Sequence, residues 1–214
     1  MIVKNLFKLK ENIMAMANNV QIMLEKCIEG LSNNDIKCLE EILYFEDIVN
    51  RFEIEIERLC TNTIALYHPE AKDLRTVLMI YKINSDMERI ADQAVNITDS
   101  AKFLIKRLPL NLISDIIKMA KLTLLMFNDC IVAFNNEDVK LSRNICERDN
   151  QIDQLNKDII ANLITNIKAD TDIIERAFHI HRISKNLERT ADLTTNIAEE
   201  IIFMVQGKVI KHKW

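Results

Sequence analysis

Apolar residues in this chain step by threes and fours through long unbroken runs, and the whole pattern restarts in its second half. From Leu9 the seam Ile13, Met16, Val20, Met23, Cys27 and Leu31 predicts one amphipathic helix. Beyond a hinge at Leu108-Pro109-Leu110 the rhythm returns as Ile113, Ile117, Ala120, Leu124, Phe127, Ile131 and Phe134. Ala17 maps to Ala120, Cys27 to Cys130, Asp35 to Asp138 and Lys37 to Lys140, a register of 103 residues. Repetition at helical spacing predicts tandem helical units.

Polar clusters, Ser32-Asn33-Asn34-Asp35 and Asn135-Asn136-Glu137-Asp138, end the first helix of each half and supply an N-cap for the second. The second helix carries the seam Ile42, Phe45, Val49, Phe52, Ile56, Leu59, Thr63 and Leu66, and it stops at Tyr67-His68-Pro69-Glu70, because a residue before Pro is pushed out of helical geometry. The third helix starts near Glu70 to Asp73 and packs through Ile80, Ile83, Met87, Ile90, Ala94 and Ile97. Two Gly and two Pro in 214 residues leave little material for the tight turns of a sheet. The expected fold is all-α: two tandem, pseudo-symmetric three-helix bundles, residues 1–107 and 108–214, with six long antiparallel helices. His68-Pro69-Glu70 has no counterpart around Lys168-Ala169-Asp170, so the register of the third helices drops to 100, a deletion that a loop absorbs cheaply.

That register pairs Glu88-Arg89-Ile90-Ala91-Asp92 and Asn96 with Glu188-Arg189-Thr190-Ala191-Asp192 and Asn196. Glu, Asp and Asn at i, i+4 and i+8 form one helical stripe, roughly 140° or more from the apolar seam. Like charges at i, i+4 repel, so something positive should sit there: Arg89 and Arg189, basic groups of a neighbouring helix, or a cation. The second helices repeat the theme, with Glu46 and Asn50 opposite Asp149 and Asp153. If second and third helices are neighbours, Glu46, Asn50, Glu88 and Asp92 converge in one half, and Asp149, Asp153, Glu188 and Asp192 in the other. Oxygen-only ligands suit Mg²⁺, Mn²⁺, Ca²⁺ or ferric iron. Asn96 and Asn196 read as helix-to-helix hydrogen bonders rather than ligands.

Other chemistries find little support. A di-iron oxidase bundle needs Glu-x-x-His on two helices, which His68, His179, His181 and His212 do not supply. Gly30 and Gly207, both at helix ends, cannot build a phosphate loop or a nucleophile elbow. A net charge of -4 with interspersed signs argues against a nucleic-acid partner. Five cysteines without a C-x-x-C pair read as small buried hydrophobes of a reducing compartment. Met1 to Lys10 lacks the apolar core of a signal peptide, and Leu122 to Phe134 is too short to span a bilayer, so the expectation is a cytoplasmic protein not inserted in the membrane. Two-metal hydrolysis of a phosphate ester is chemically conceivable, yet the stripes lie on an open face.

With these motifs in place, the chain resembles the PhoU family from end to end. The likeness rests on Glu46 to Leu59, Tyr67-His68-Pro69-Glu70-Ala71-Lys72-Asp73-Leu74-Arg75, Asp86-Met87-Glu88-Arg89-Ile90-Ala91-Asp92, Leu187-Glu188-Arg189-Thr190-Ala191-Asp192 and the tail Val205 to His212. The resemblance implies two three-helix bundles and surface metal ions or multinuclear clusters, of iron, manganese, magnesium or zinc, held by Glu/Asp-x-x-x-Asp motifs. Those motifs are Glu88 to Asp92, Glu188 to Asp192 and Asp149 to Asp153, whereas Asn50 departs from the pattern and leaves the first half one charge short. It further implies a non-enzymatic negative regulator of phosphate uptake and of the phosphate-starvation response. Such a protein contacts the ATPase subunit of the phosphate ABC importer and a phosphate-sensing histidine kinase, and is expected to be a homodimer. An accessory or scaffold of another phosphate or polyphosphate system is the alternative.

Overall fold

The structure, a computed structural model, describes residues 2–208. The residues Val209 to Trp214, including His212 and half of the tail motif, lie outside that range. Seven α-helices follow in order among the described residues: α1 (Ile2–Asn33), the short α2 (Ile36–Glu40), α3 (Ile42–Tyr67), α4 (Ala71–Ile105), α5 (Ile113–Asn136), α6 (Val139–Ala169) and α7 (Ile174–Gln206). A 3-10 turn, Thr171–Ile173, leads into α7. α1, α3 and α4 pack on one another as one bundle and α5, α6 and α7 as the other.

The duplicated register is visible as duplicated contacts. Asp35 accepts hydrogen bonds from the Lys37 and Cys38 amides, and Asp138 from those of Lys140 and Leu141, so both predicted N-caps form. The Cys27 thiol donates to the Ala94 carbonyl at 3.5 Å, and Cys130 donates to the Thr194 carbonyl at 3.6 Å. All five cysteines are free and buried.

Helices α4 and α7 join the two bundles, packing against each other more extensively than any other pair. Lys82 bonds Glu200 at 3.1 Å, Phe103 stacks on His179 with centroids 3.7 Å apart, and Arg107 reaches Glu175 at 3.8 Å. As one residue number rises the other falls, so the two helices run antiparallel. The register of these pairs sets Ala91 opposite Ala191, both buried. Helices approach most closely where side chains are small. A second brace crosses the halves at Glu137, whose carboxylate takes Lys10 at 2.8 Å and Lys72 at 2.9 Å. One apolar core runs through both bundles.

Several expectations need correction. Helix α1 begins at Ile2 rather than Leu9, with Val3 and Phe7 exposed, because the helical backbone continues past the end of its buried seam. The second helix of the first half is interrupted at Glu41, and α2 turns to pack on both α1 and α4. Leu66, expected in the seam, is 69% exposed in the last turn of α3. Gly30 lies within α1, where an added Cβ would come 2.5 Å from Leu39 Cγ and Cδ2. At the equivalent place the second bundle has Ala133 and Ser142, both fully buried, so a larger residue on one side is matched by a smaller one on the other. Leu39 is fully buried and has nowhere to move. Gly30→Val is therefore expected to destabilise the fold by about 1–3 kcal/mol through overpacking, read as a lower urea midpoint at unchanged slope.

Candidate metal centre

Helix α6 buries Ile145, Cys146, Ile152, Ile159 and Leu163, and Asp149 and Asp153, one helical turn apart, lie along the edge of that seam, half-buried. Helix α7 buries Leu187, Ala191 and Thr194 and carries Glu188 and Asp192 on its flank. One turn beyond Asp153, the buried Asn156 Oδ1 accepts a hydrogen bond from Ser184 Oγ, which clasps α6 to α7 beside the acidic row. Three carboxylates converge: one oxygen from each of Asp149, Asp153 and Asp192, all within 4.8 Å of one another. Asp149 and Asp153 are half-buried, and Asp192 lies at the rim.

Holding these anions together is costly. Burial, then the charges of Asp192, Asp153 and Glu188, push the Asp149 carboxyl up to about 6. Burial, followed by Glu188 and Asp153, raises Asp192 as well, with Lys185 and Arg189 pulling the other way. Asp149 Oδ1 is a buried oxygen without a hydrogen-bond partner. An orphaned carboxylate oxygen beside two more carboxylates is a donor set that fits a hard cation.

Glu188, the fourth expected ligand, is engaged elsewhere, in an ion pair with Lys185 one turn earlier on its own helix. In the first bundle, Glu46 and Asn50 lie half-buried on α3, and Glu88 and Asp92 lie on α4. Burial and then the Asp92, Asp47 and Asp99 charges raise Glu46, while burial, Asp92 and Glu53 raise Glu88. These residues share one negative field. Arg89 bonds Asp86 at 3.3 Å, and its charge works only against the rise of Glu88 without reversing it. Asn96 is no inter-helix bridge either, since its Nδ2 donates to the Asp92 carbonyl of its own helix at 2.9 Å.

Glu53 belongs to this field and escaped the sequence reading. It is half-buried, raised by burial and then by Glu57 and Asp92, and its carbonyl accepts from Asn84 Nδ2 at 3.0 Å. Asn84 and Ser184 are repeat mates, as are Glu53 and Asn156, so both bundles clasp their second and third helices at the same level. The signal was the spacing Glu46, Asn50, Glu53, which continues the stripe. Taken across the repeats, Asn50 and Glu53 stand where Asp153 and Asn156 stand, so the first bundle carries its carboxylate one turn further along.

Two interlocked three-helix bundles, each with an acidic row where its second and third helices meet, define a duplicated helical-bundle protein with an outward-facing anionic surface. The chain belongs to the PhoU family: the family model described as PhoU domain matches residues 13–101 and 116–201. It is 35% identical over 210 residues to a protein of Aquifex aeolicus named phosphate-specific transport system accessory protein PhoU homolog, covering 98% of this chain and 95% of that one. A Thermotoga maritima protein named phosphate-specific transport system accessory protein PhoU homolog 1 is 30% identical, covering 97% and 90%. The crystal structure of PhoU from Pseudomonas aeruginosa superposes with a TM-score of 0.94 at 25% identity, covering 97% of this chain and 100% of that chain. The regulatory protein PhoU from Streptococcus pneumoniae gives 0.90 at 26% identity, covering 99% and 100%.

The raised Asp149 carboxyl yields a signed pH prediction for protein stripped of metal. Its folded value, about 6, lies above the ordinary 3.8, so the folded state holds the proton more tightly. The contribution to stability is complete below the ordinary value and is lost as pH rises through about 6. Asp149→Asn should raise the melting temperature at neutral pH and flatten its fall between these two pH values, as measured by calorimetry with a chelator present.

Proposed function

We propose that this chain is an accessory protein of phosphate-specific transport that restrains phosphate uptake and the phosphate-starvation response. In this reading it is a cytoplasmic, metal-binding helical adaptor, not an enzyme, acting on the ATPase subunit of the phosphate ABC importer and on a phosphate-sensing histidine kinase. Near-complete coverage of relatives bearing the transport-accessory name supports the system. No helix among the described residues is long and apolar enough to cross a membrane. A homodimer is supported by Leu125 and Val132, a heptad apart on α5 and each about half exposed.

The observation that carries the metal part is the convergence of Asp149, Asp153 and Asp192 beside an unpartnered buried oxygen. Asp149 and Asp153 would hold an ion from α6, and Asp192 from α7, with Glu188 as a further ligand. In the first bundle Glu46, Glu88 and Asp92 would play these parts, with Asn50 as a neutral oxygen donor and Glu53 adjoining. Hard oxygen donors suit magnesium, manganese or ferric iron better than zinc, which favours nitrogen and sulfur. When bound, such an ion supplies the positive charge that lets two acidic helices lie side by side. The chain's own contribution is to set the relative placement of α6 and α7, through the Asn156–Ser184 clasp and the carboxylates beside it, and so to shape the surface offered to partners.

The test is a pull-down with the importer ATPase in manganese-containing buffer. Glu188→Ala combined with Asp192→Ala is expected to weaken capture at least about tenfold, a loss of roughly 1.4 kcal/mol. Undiminished capture by a folded double variant would remove the metal from the mechanism. Deleting the gene in phosphate-replete cells should switch on a phosphate-starvation reporter, and a silent reporter would overturn the regulatory reading.

A further inference from the structure

The two acidic rows differ in their countercharges, and the difference follows from two substitutions between repeats. Ser85 and Asp86 of the first bundle correspond to Lys185 and Asn186 of the second. Where Asp86 is present, it draws the Arg89 guanidinium to itself at 3.3 Å, one turn back along the helix. Where Asn186 replaces it, that anchor is gone, and the new lysine bonds Glu188 directly. Arg89 acts on the first row only at a distance, whereas Lys185 pairs directly with a carboxylate of the second.

We infer that Lys185 is a resident countercharge of the second metal site, holding Glu188 while no ion is bound and lowering the affinity with which an ion loads there. The inference rests on the metal reading above. Three observations support it. The Lys185 ammonium is paired with Glu188 rather than extended into water. Glu188 is half-buried beside the converged Asp149, Asp153 and Asp192, so a lysine on it stands within the field an ion would occupy. The pairing also spans i to i+3 with Lys on the N-terminal side, the weaker of the two orders on an isolated helix, and it sits where the neighbouring carboxylates add to the attraction. An arriving cation meets a site that already carries part of its neutralising charge. For Glu188 to become a ligand, Lys185 must leave it.

The experiment titrates Mn²⁺ into chelator-treated full-length protein and follows loss of the free-ion EPR signal in wild type, Lys185→Ser, Lys185→Arg and Asp149→Asn. Lys185→Ser installs the first bundle's own residue and should tighten loading about tenfold, the scale of one unit charge removed a few ångströms from an ion at a half-exposed site. Lys185→Arg keeps the charge and should match wild type. The gap between wild type and Lys185→Ser should narrow at high ionic strength, which a merely structural effect would not produce. If wild type binds Mn²⁺, Asp149→Asn removes that binding, and Lys185→Ser binds no more tightly, the inference is overturned and the metal site stands. If neither wild type nor Lys185→Ser binds Mn²⁺, both fall.

Discussion

Long helices lie flush only where the side chains between them are small, and the packing of α4 along α7 governs the rest of this molecule. These helices, of 35 and 33 residues, run antiparallel with Ala91 opposite Ala191, and the same two alanines sit inside the motifs that carry Glu88, Asp92, Glu188 and Asp192. The requirement for close packing and the requirement for acidity thus fall on one helical turn in each half. The alanine turns inward to the seam, and the carboxylates flank it toward α3 or α6. Burial of Ile83, Met87, Ile90, Ile97 and their mates fixes the rotation of each helix, which decides where the acidic side chains point.

That placement works against local electrostatics. Carboxylates at i, i+4 repel along one helix, and a second helix adds more of the same sign. The burial-led rise of Asp149, Asp192, Glu46, Glu53 and Glu88 is the signature of charges held by packing rather than by their own attraction. Structural carboxylates normally find a partner, as Asp129 does in Arg148 at 2.6 Å and Glu137 does in two lysines. The contrast separates the acidic rows from the rest of the acidic surface, and an arrangement that breaks local rules is expected at a functional place.

Much of this was legible in the residues alone. The repeat, the all-helical class and both Asp N-caps follow from periodicity and spacing, because those features are set by the helix itself; the meeting of Asp149 and Asp153 with Asp192 followed only on the condition that α6 and α7 are neighbours, which packing supplies. What escaped depends on neighbours. Nothing local in Glu40-Glu41 announces the break between α2 and α3, which lets α2 pack on α1 and α4 together. Arg89, one of the countercharges considered for its row, bonds Asp86, which no spacing rule announced. Glu53 was hidden because its repeat mate is Asn156, so comparing the halves removed it from view. Lys185 was passed over for the same reason, since its mate is Ser85.

The exchange of bulk at the turn between the first and second helices reaches beyond its local fit. Gly30 faces Leu39 in one bundle, and the register puts the buried Ala133 and Ser142 at the corresponding positions of the other, so the bulk is divided differently in each half. Swapping α1 for α5 alone would set a methyl group against leucine on one side and leave a void beside serine on the other. The two repeats are alike in pattern yet not exchangeable segment by segment, because each first helix fits the bulk of the residue that follows it.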